Sequence, residues 1–154
     1  MFFRALFAFL ALPGVVAGLI PAVIVYGSGD FQDGSVIGFA IGTVGLGLLL
    51  WCVRDFFVSG KGTLAPWDPP KHLVVVGLYC FIRNPMYVAV LTTVLGWSVA
   101  FHSVWTGLYL LLLAIGFHLR VVLYEEPLLQ GQFGPEWQAY SASVPRWLPR
   151  LRSR

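Results

Sequence analysis

Four apolar runs, at residues 5–26, 36–58, 86–101 and 104–123, constrain this chain more than any other feature. At a rise of about 1.5 Å per residue the first, second and fourth reach about 30 Å, the thickness of a bilayer's hydrocarbon layer. The third is shorter, and only His102 and Ser103 separate it from the fourth, so these two runs are expected to form a tight helical hairpin. With 58% hydrophobic and 11% charged residues, a soluble globule of 154 residues would lack the polar residues to cover its surface. The chain therefore reads as an all-α, multi-pass integral membrane protein, a single domain of about four transmembrane helices.

Within the runs most special residues have packing explanations. Pro13 and Pro21 predict kinks in the first span rather than its end, because a membrane bundle can satisfy the freed backbone groups. Gly38, Gly42, Gly45 and Gly47 place small residues along the second span and predict close helix approach. Cys52 reads as a small buried apolar residue. With Cys80 it gives no disulfide framework, and three scattered histidines give no metal-ligand spacing. The N-terminal residues also have the layout of a signal peptide, but the apolar run continues to Tyr26, so the segment is expected to be retained as a span.

Charge orients the bundle. The connection at 27–35 carries Asp30 and Asp33 and no basic residue. In a four-span arrangement Arg4, Arg54, Lys61, Lys71, Arg83, Arg120, Arg146, Arg150, Arg152 and Arg154 all fall on the opposite side. The positive-inside rule then puts both termini in the cytoplasm, in a plasma or inner membrane. The basic excess is explained by topology and anionic headgroups, and no nucleic-acid-binding pattern is present.

Two polar blocks, 71–87 and 125–147, stand out against this background, and both fall on the cytosolic side. Gly60, Gly62, Pro66, Pro69 and Pro70 predict an irregular connection before the first block. Pro85 disfavours helical geometry at Asn84, so Arg83-Asn84-Pro85 predicts a break at membrane depth. Such a break can expose backbone groups to a polar cofactor; alternatively, Arg83, Tyr79 and Tyr87 could anchor a helix start among headgroups. In the second block the adjacent Glu125 and Glu126 would face an anionic surface and require a cationic partner, either Arg120, Arg83 or Arg146, or a charged ligand. Leu129, Phe133, Trp137 and Tyr140 recur at helical spacing, interrupted by Gly134 and Pro135. That stripe predicts a helix lying on the membrane or folding back over the bundle, with Trp137 and Trp147 as interfacial anchors.

The combination H-L-V-x-x-G-x-Y-x-x-x-R-N-P-x-Y, at 72–87, followed by E-E-x-x-L-x-x-x-F-G-x-x-W-x-x-Y-x-x-x-V-P-R, at 125–146, resembles the isoprenylcysteine carboxyl methyltransferases and related phospholipid methyltransferases. The resemblance covers about half the chain, and the two blocks occur in the family's order. It implies S-adenosylmethionine-dependent methyl transfer at the cytosolic face, without a Rossmann domain, to a lipophilic or membrane-associated acceptor. It also implies a cofactor site formed by Lys71, His72, Leu73, Val74, Tyr79, Asn84, Pro85, Met86, Tyr87 and Glu125, with Arg83 and Glu126 organising the reacting groups. Arg120 and Arg146 are the candidate substrate-binding residues, and no metal is implied. Two positions depart from the prenylcysteine enzymes. Asn84 stands where they usually carry histidine, and Val121 stands where they carry a substrate-binding arginine.

This chemistry suits the residues. A sulfonium donor with an ammonium and a carboxylate calls for both signs of charge, supplied by Glu125 or Glu126 and by Arg83. A carboxylate or thiolate acceptor needs no general base, whereas an amine would have to lose a proton, to Glu126 or Tyr87. Two other classes are compatible with the sequence: a noncatalytic membrane protein of the same fold, and an NADPH enzyme resembling the sterol reductases, which are much longer chains.

Overall fold

The computed structural model describes residues 10–31, 34–60 and 72–149. The expectations placed on Arg4, Asp33, Lys61, Lys71, Arg150, Arg152 and Arg154, and on the connection through Gly62, Pro66, Pro69 and Pro70, lie outside the described residues. A π-helical stretch, Leu10–Leu19, runs into α1, Ile20–Ser28. Helix α2, Val36–Gly60, follows, then a 3-10 turn at Gly77–Cys80 and helix α3, Pro85–Ala100. Helix α4, Val104–Arg120, continues through a π turn, Val121–Glu125, into α5, Glu126–Phe133, and α6, Pro135–Ser143, closes the order. No strand occurs among the described residues.

The prolines of the first run sit in continuous helix. The wider π turn takes up Pro13, and Pro21 falls in the first turn of α1, where a missing N–H costs little. Pro21 offers no N–H to the carbonyl five residues back, Val16. The Tyr109 hydroxyl from α4 donates to that carbonyl at 2.9 Å, tying the first helical segment to the fourth.

Helices α2 and α3 pack closely because their contact line is made of small residues. Gly38 lies against Ala100, Gly42 against Gly96, and Gly45 against Thr93, and a side chain at Gly38, Gly45 or Gly96 would collide with the facing helix. Gly47 has nothing within 4 Å of where a Cβ would stand, so the expected stripe ends at Gly45. The hairpin between α3 and α4 turns at His102, whose φ of 52° is left-handed. Ser103 then caps α4, accepting from the Thr106 amide at 3.3 Å, a bond that contributes about 1 kcal/mol. At this end of the bundle the Ser35 amide donates to the Ala100 carbonyl at 2.8 Å.

Helix α2 contains an apolar stretch, Val36–Asp55, long enough to cross a membrane, and the helix running Val104–Phe133 is the second such element. Pro13–Ser28 and Pro85–Ala100 are shorter apolar helices. In a soluble protein such helices would be core elements, yet only 22% and 11% of the two apolar stretches is buried. Leu108, Leu111, Leu112, Ile115 and Leu119 recur at three- and four-residue spacing on α4 and are all exposed. An outward apolar stripe of this kind suits a surface that faces lipid. The described arginines, Arg54, Arg83, Arg120 and Arg146, gather at the end opposite Asp30 and the His102 turn.

The fourth span was expected to end near residue 123. The helix instead runs on to Phe133, because the π turn at Val121–Glu125 absorbs one extra residue without breaking it. Glu125 and Glu126 therefore sit inside a helix whose backbone holds them rigidly. Gly134, at φ 49°, and Pro135 make the break that folds α6 back.

Candidate functional site

The first block enters as extended chain. His72 is exposed, Leu73 packs beneath α6, and Val74 is buried with Cys52 and Tyr79. Gly77 then reverses the chain at φ 55°. It lies so close to the carboxylate of Asp55 that any Cβ there would clash with it, and would press against the indole of Trp51. Asp55 is 7% exposed near the end of α2 and is bonded by Arg54 at 3.0 Å. An acid inside an apolar run is the signal that could have marked it, since a buried carboxylate requires a local partner.

The expected break is present: Asn84 is non-helical, at φ −122° and ψ 52°, and Pro85 opens α3. Pro85 is buried and Met86 packs into the core between α2 and α3. Tyr87, the next residue, donates its hydroxyl to Glu125 Oε1. Arg120 Nε donates to the same carboxylate at 2.8 Å and to the Tyr87 hydroxyl at 3.2 Å. Arg120 also lies over the Tyr124 ring, 5.8 Å from its centroid.

Glu126 forms the second centre. Arg83 Nη1 lies 3.0 Å from its Oε1, and Arg146 holds both oxygens, Nε at 2.7 Å and Nη2 at 2.8 Å. The side chains of Arg83 and Glu126 are only 12% and 18% exposed, so solvent screens this pair weakly. The Glu126 hydrogen bond holds the Arg146 guanidinium above the usual arginine range. Arg83 also lies over the Trp137 ring, 5.6 Å from its centroid. Its Nε is buried with no hydrogen-bond partner among the described residues.

The C-terminal stretch closes over this cluster. Trp137, Tyr140 and Val144 form a buried core with Leu73, Leu129 and Phe133. Trp137 is 6% exposed, so it is a packing residue beneath Arg83 rather than the interfacial anchor expected from its spacing. The fold-back through Gly134 turns its face inward. The backbone continues through Pro145, whose carbonyl accepts from the Arg83 amide at 2.9 Å, and Arg146, whose carbonyl accepts from Asn84 Nδ2 at 3.2 Å. Trp147 is half-buried, its ring 6.5 Å from Tyr87.

All three basic partners proposed for the glutamates are engaged: Arg120 by Glu125, Arg83 and Arg146 by Glu126. Val121, the other departure from the prenylcysteine pattern, is buried, while Arg120 stays at the rim with Tyr87. No group of three His, Cys, Asp or Glu side chains among the described residues could hold a metal.

The first block and the start of the second lie within a match to the phospholipid methyltransferase family model, which spans residues 35–136 of the 154. The chain belongs to this family. The family match takes in α2, both expected glutamates and the Arg83–Tyr87 segment, and it ends within α6. The chain is also similar to the nickel-cobalt-cadmium resistance protein NccN of Alcaligenes xylosoxydans xylosoxydans, 28% identical over 116 residues, or 75% of this chain and 48% of that one. It thus spans about half the length of this curated relative. No solved structure matches the chain.

Proposed function

We propose that this phospholipid methyltransferase family member is an S-adenosylmethionine-dependent enzyme. It moves a methyl group to a lipophilic or membrane-associated acceptor, a carboxylate, thiol or amine, at the cytosolic face of the membrane. The observation that carries the reading is the convergence of the two blocks on one charged cluster, buried around Arg83 and Glu126 and open to solvent at Arg120. Tyr87, Glu125 and Arg120 form one half, and Arg83, Glu126 and Arg146 form the other. A surface ion pair needs none of this enclosure; charged groups held apart from water at a helix break suit a small charged ligand. Four membrane helices with both termini inside would put the arginine-rich end at the cytosol, where a water-soluble cofactor is available.

The residues fit the cofactor. Among the described residues Arg83 Nε is a buried donor with no acceptor, which a ligand carboxylate would supply. The carboxylates of Glu125 and Glu126 would hold its ammonium group, and the faces of Tyr87 and Tyr79 favour a cation. When bound, S-adenosylmethionine supplies an electrophilic methyl group on a sulfonium. Three guanidiniums against two carboxylates leave the cluster one positive charge in excess, which favours an anionic group on the acceptor side, at the half-exposed Arg120. The Gly77–Cys80 turn and the folded-back α6 keep water from the cluster, so that positioning and low local dielectric do most of the work. Tyr87 and Glu125 share a proton-bearing contact and can take up a proton from an amine acceptor.

The reading is tested by supplying S-adenosylmethionine labelled in its methyl group to vesicles containing the protein and to matched vesicles containing Glu126→Gln. Label entering the lipid-extractable fraction only with the wild type is expected. Equal label in both would exclude the charged cluster as the site.

A further inference from the structure

Residues 144–147 cross the charged cluster as a strap, and four of their attachments come from the two polar blocks: the Arg83 amide, the Asn84 side chain, the Glu126 carboxylate and the Tyr140 carbonyl. The fifth comes from outside them. Trp147 Nε1 donates to His118 Nδ1, on α4, at 3.3 Å, with the rings 6.1 Å apart. An indole nitrogen can only donate, so His118 Nδ1 must be the unprotonated nitrogen of its ring.

This bond fixes more than the strap. The Tyr87 ring packs against Phe117 on one side, at 4.4 Å, and meets Trp147 at 6.5 Å on another. Phe117 and His118 are neighbours on one helix, so that single turn of α4 sets both contacts of the Tyr87 ring, one directly and one through Trp147. The hydroxyl of that ring is the group bonded to Glu125 and Arg120.

We propose that His118 is a positioning residue for methyl transfer: acting through Trp147, it holds the strap closed and fixes the Tyr87 ring beside the charged cluster. The role in methyl transfer rests on the function proposed above; the latch itself is a property of the unliganded protein. Removing one hydrogen bond leaves four attachments, so the chain still folds, while the ratio of closed to open strap falls by about three- to tenfold.

The test compares His118→Leu, His118→Asn and Trp147→Phe with the wild type. Asparagine places an acceptor near the position of Nδ1, whereas leucine has none and is the better helix former, so a leucine defect cannot come from weakened helix. Without any cofactor, amide hydrogen exchange at Arg83 and Val144, whose N–H groups bond the Pro145 and Tyr140 carbonyls, is expected to rise by about three- to tenfold in His118→Leu and Trp147→Phe, and to stay near wild type in His118→Asn. With labelled cofactor, kcat is expected to fall in the first two, to recover in His118→Asn, and to fall no further in the variant that combines His118→Leu with Trp147→Phe. Unchanged exchange in His118→Leu, or an asparagine variant as impaired as leucine, overturns the latch. A wild type that binds no cofactor overturns the methyl-transfer reading instead, and the exchange measurements still decide the latch.

Discussion

Tyr140 donates its hydroxyl to the backbone carbonyl of Tyr79 at 2.7 Å, which joins the folded-back α6 to the turn that opens the first polar block. The bond is buried, and the two residues stand 61 positions apart. Tyr140→Phe removes the donor and leaves the carbonyl without a partner, at a cost of about 1–2 kcal/mol. Tyr79→Phe keeps the bond, because only the Tyr79 backbone takes part. Thermal unfolding in detergent should therefore place Tyr140→Phe below the wild type by more than Tyr79→Phe.

Both phenols should resist alkali. Burial pushes the Tyr79 hydroxyl well above its ordinary value, with Cys52, Tyr140 and Asp55 adding to the effect, and burial likewise raises Tyr140. A folded value above the unfolded one gives stability that is present below the ordinary tyrosine range, about pH 10, and lost as pH rises through the folded value. Phenolate absorbance should show at least these two of the six tyrosines titrating late and together with loss of the fold. Normal titration of all six near pH 10 with the fold intact would contradict the burial.

The α2–α3 contact makes a prediction within a single residue type. Gly96→Ala forces a methyl into the Gly42 backbone and should cost about 2–3 kcal/mol, whereas Gly47→Ala meets nothing and should be neutral. Recovery of folded protein in detergent, read by size exclusion and thermal melting, separates the two.

At the first block, Gly77→Ala places a Cβ against the Asp55 carboxylate in a left-handed conformation. The conformational strain alone costs about 1–2 kcal/mol. Asp55→Ala in the same chain removes the collision but not the strain, so the double variant should recover part of the thermal stability that Gly77→Ala loses. No recovery would mean that Asp55 and Gly77 act independently.

Much of this was legible in the sequence for reasons that are local. Helix boundaries at Pro85, Ser103 and Pro135 follow from proline's missing N–H and from side-chain capping, and the need of adjacent glutamates for cations pointed to Arg83, Arg120 and Arg146. Partner choice was not legible. Which arginine meets which glutamate depends on the π turn at Val121–Glu125, which carries the glutamates on in an unbroken helix and has no sequence signature here. Trp137 was misread because an interfacial aromatic and one folded back over a bundle share the same spacing, and only the Gly134 turn separates them. Asp55 and His118 lie in apolar runs where periodicity drew attention to their neighbours, and their partners, Gly77 and Trp147, lie in other segments.

The central claim is that the paired carboxylates and Arg83 form a cofactor site. It is tested most directly by calorimetric titration of S-adenosylhomocysteine and S-adenosylmethionine into the detergent-purified protein, beside Arg83→Ala and Glu125→Ala variants of matched thermal stability. Saturable binding to the wild type, weakened at least tenfold in each variant, is the expected result; a tenfold loss corresponds to about 1.4 kcal/mol. No binding to a folded wild type, or equal binding to all three proteins, would contradict it.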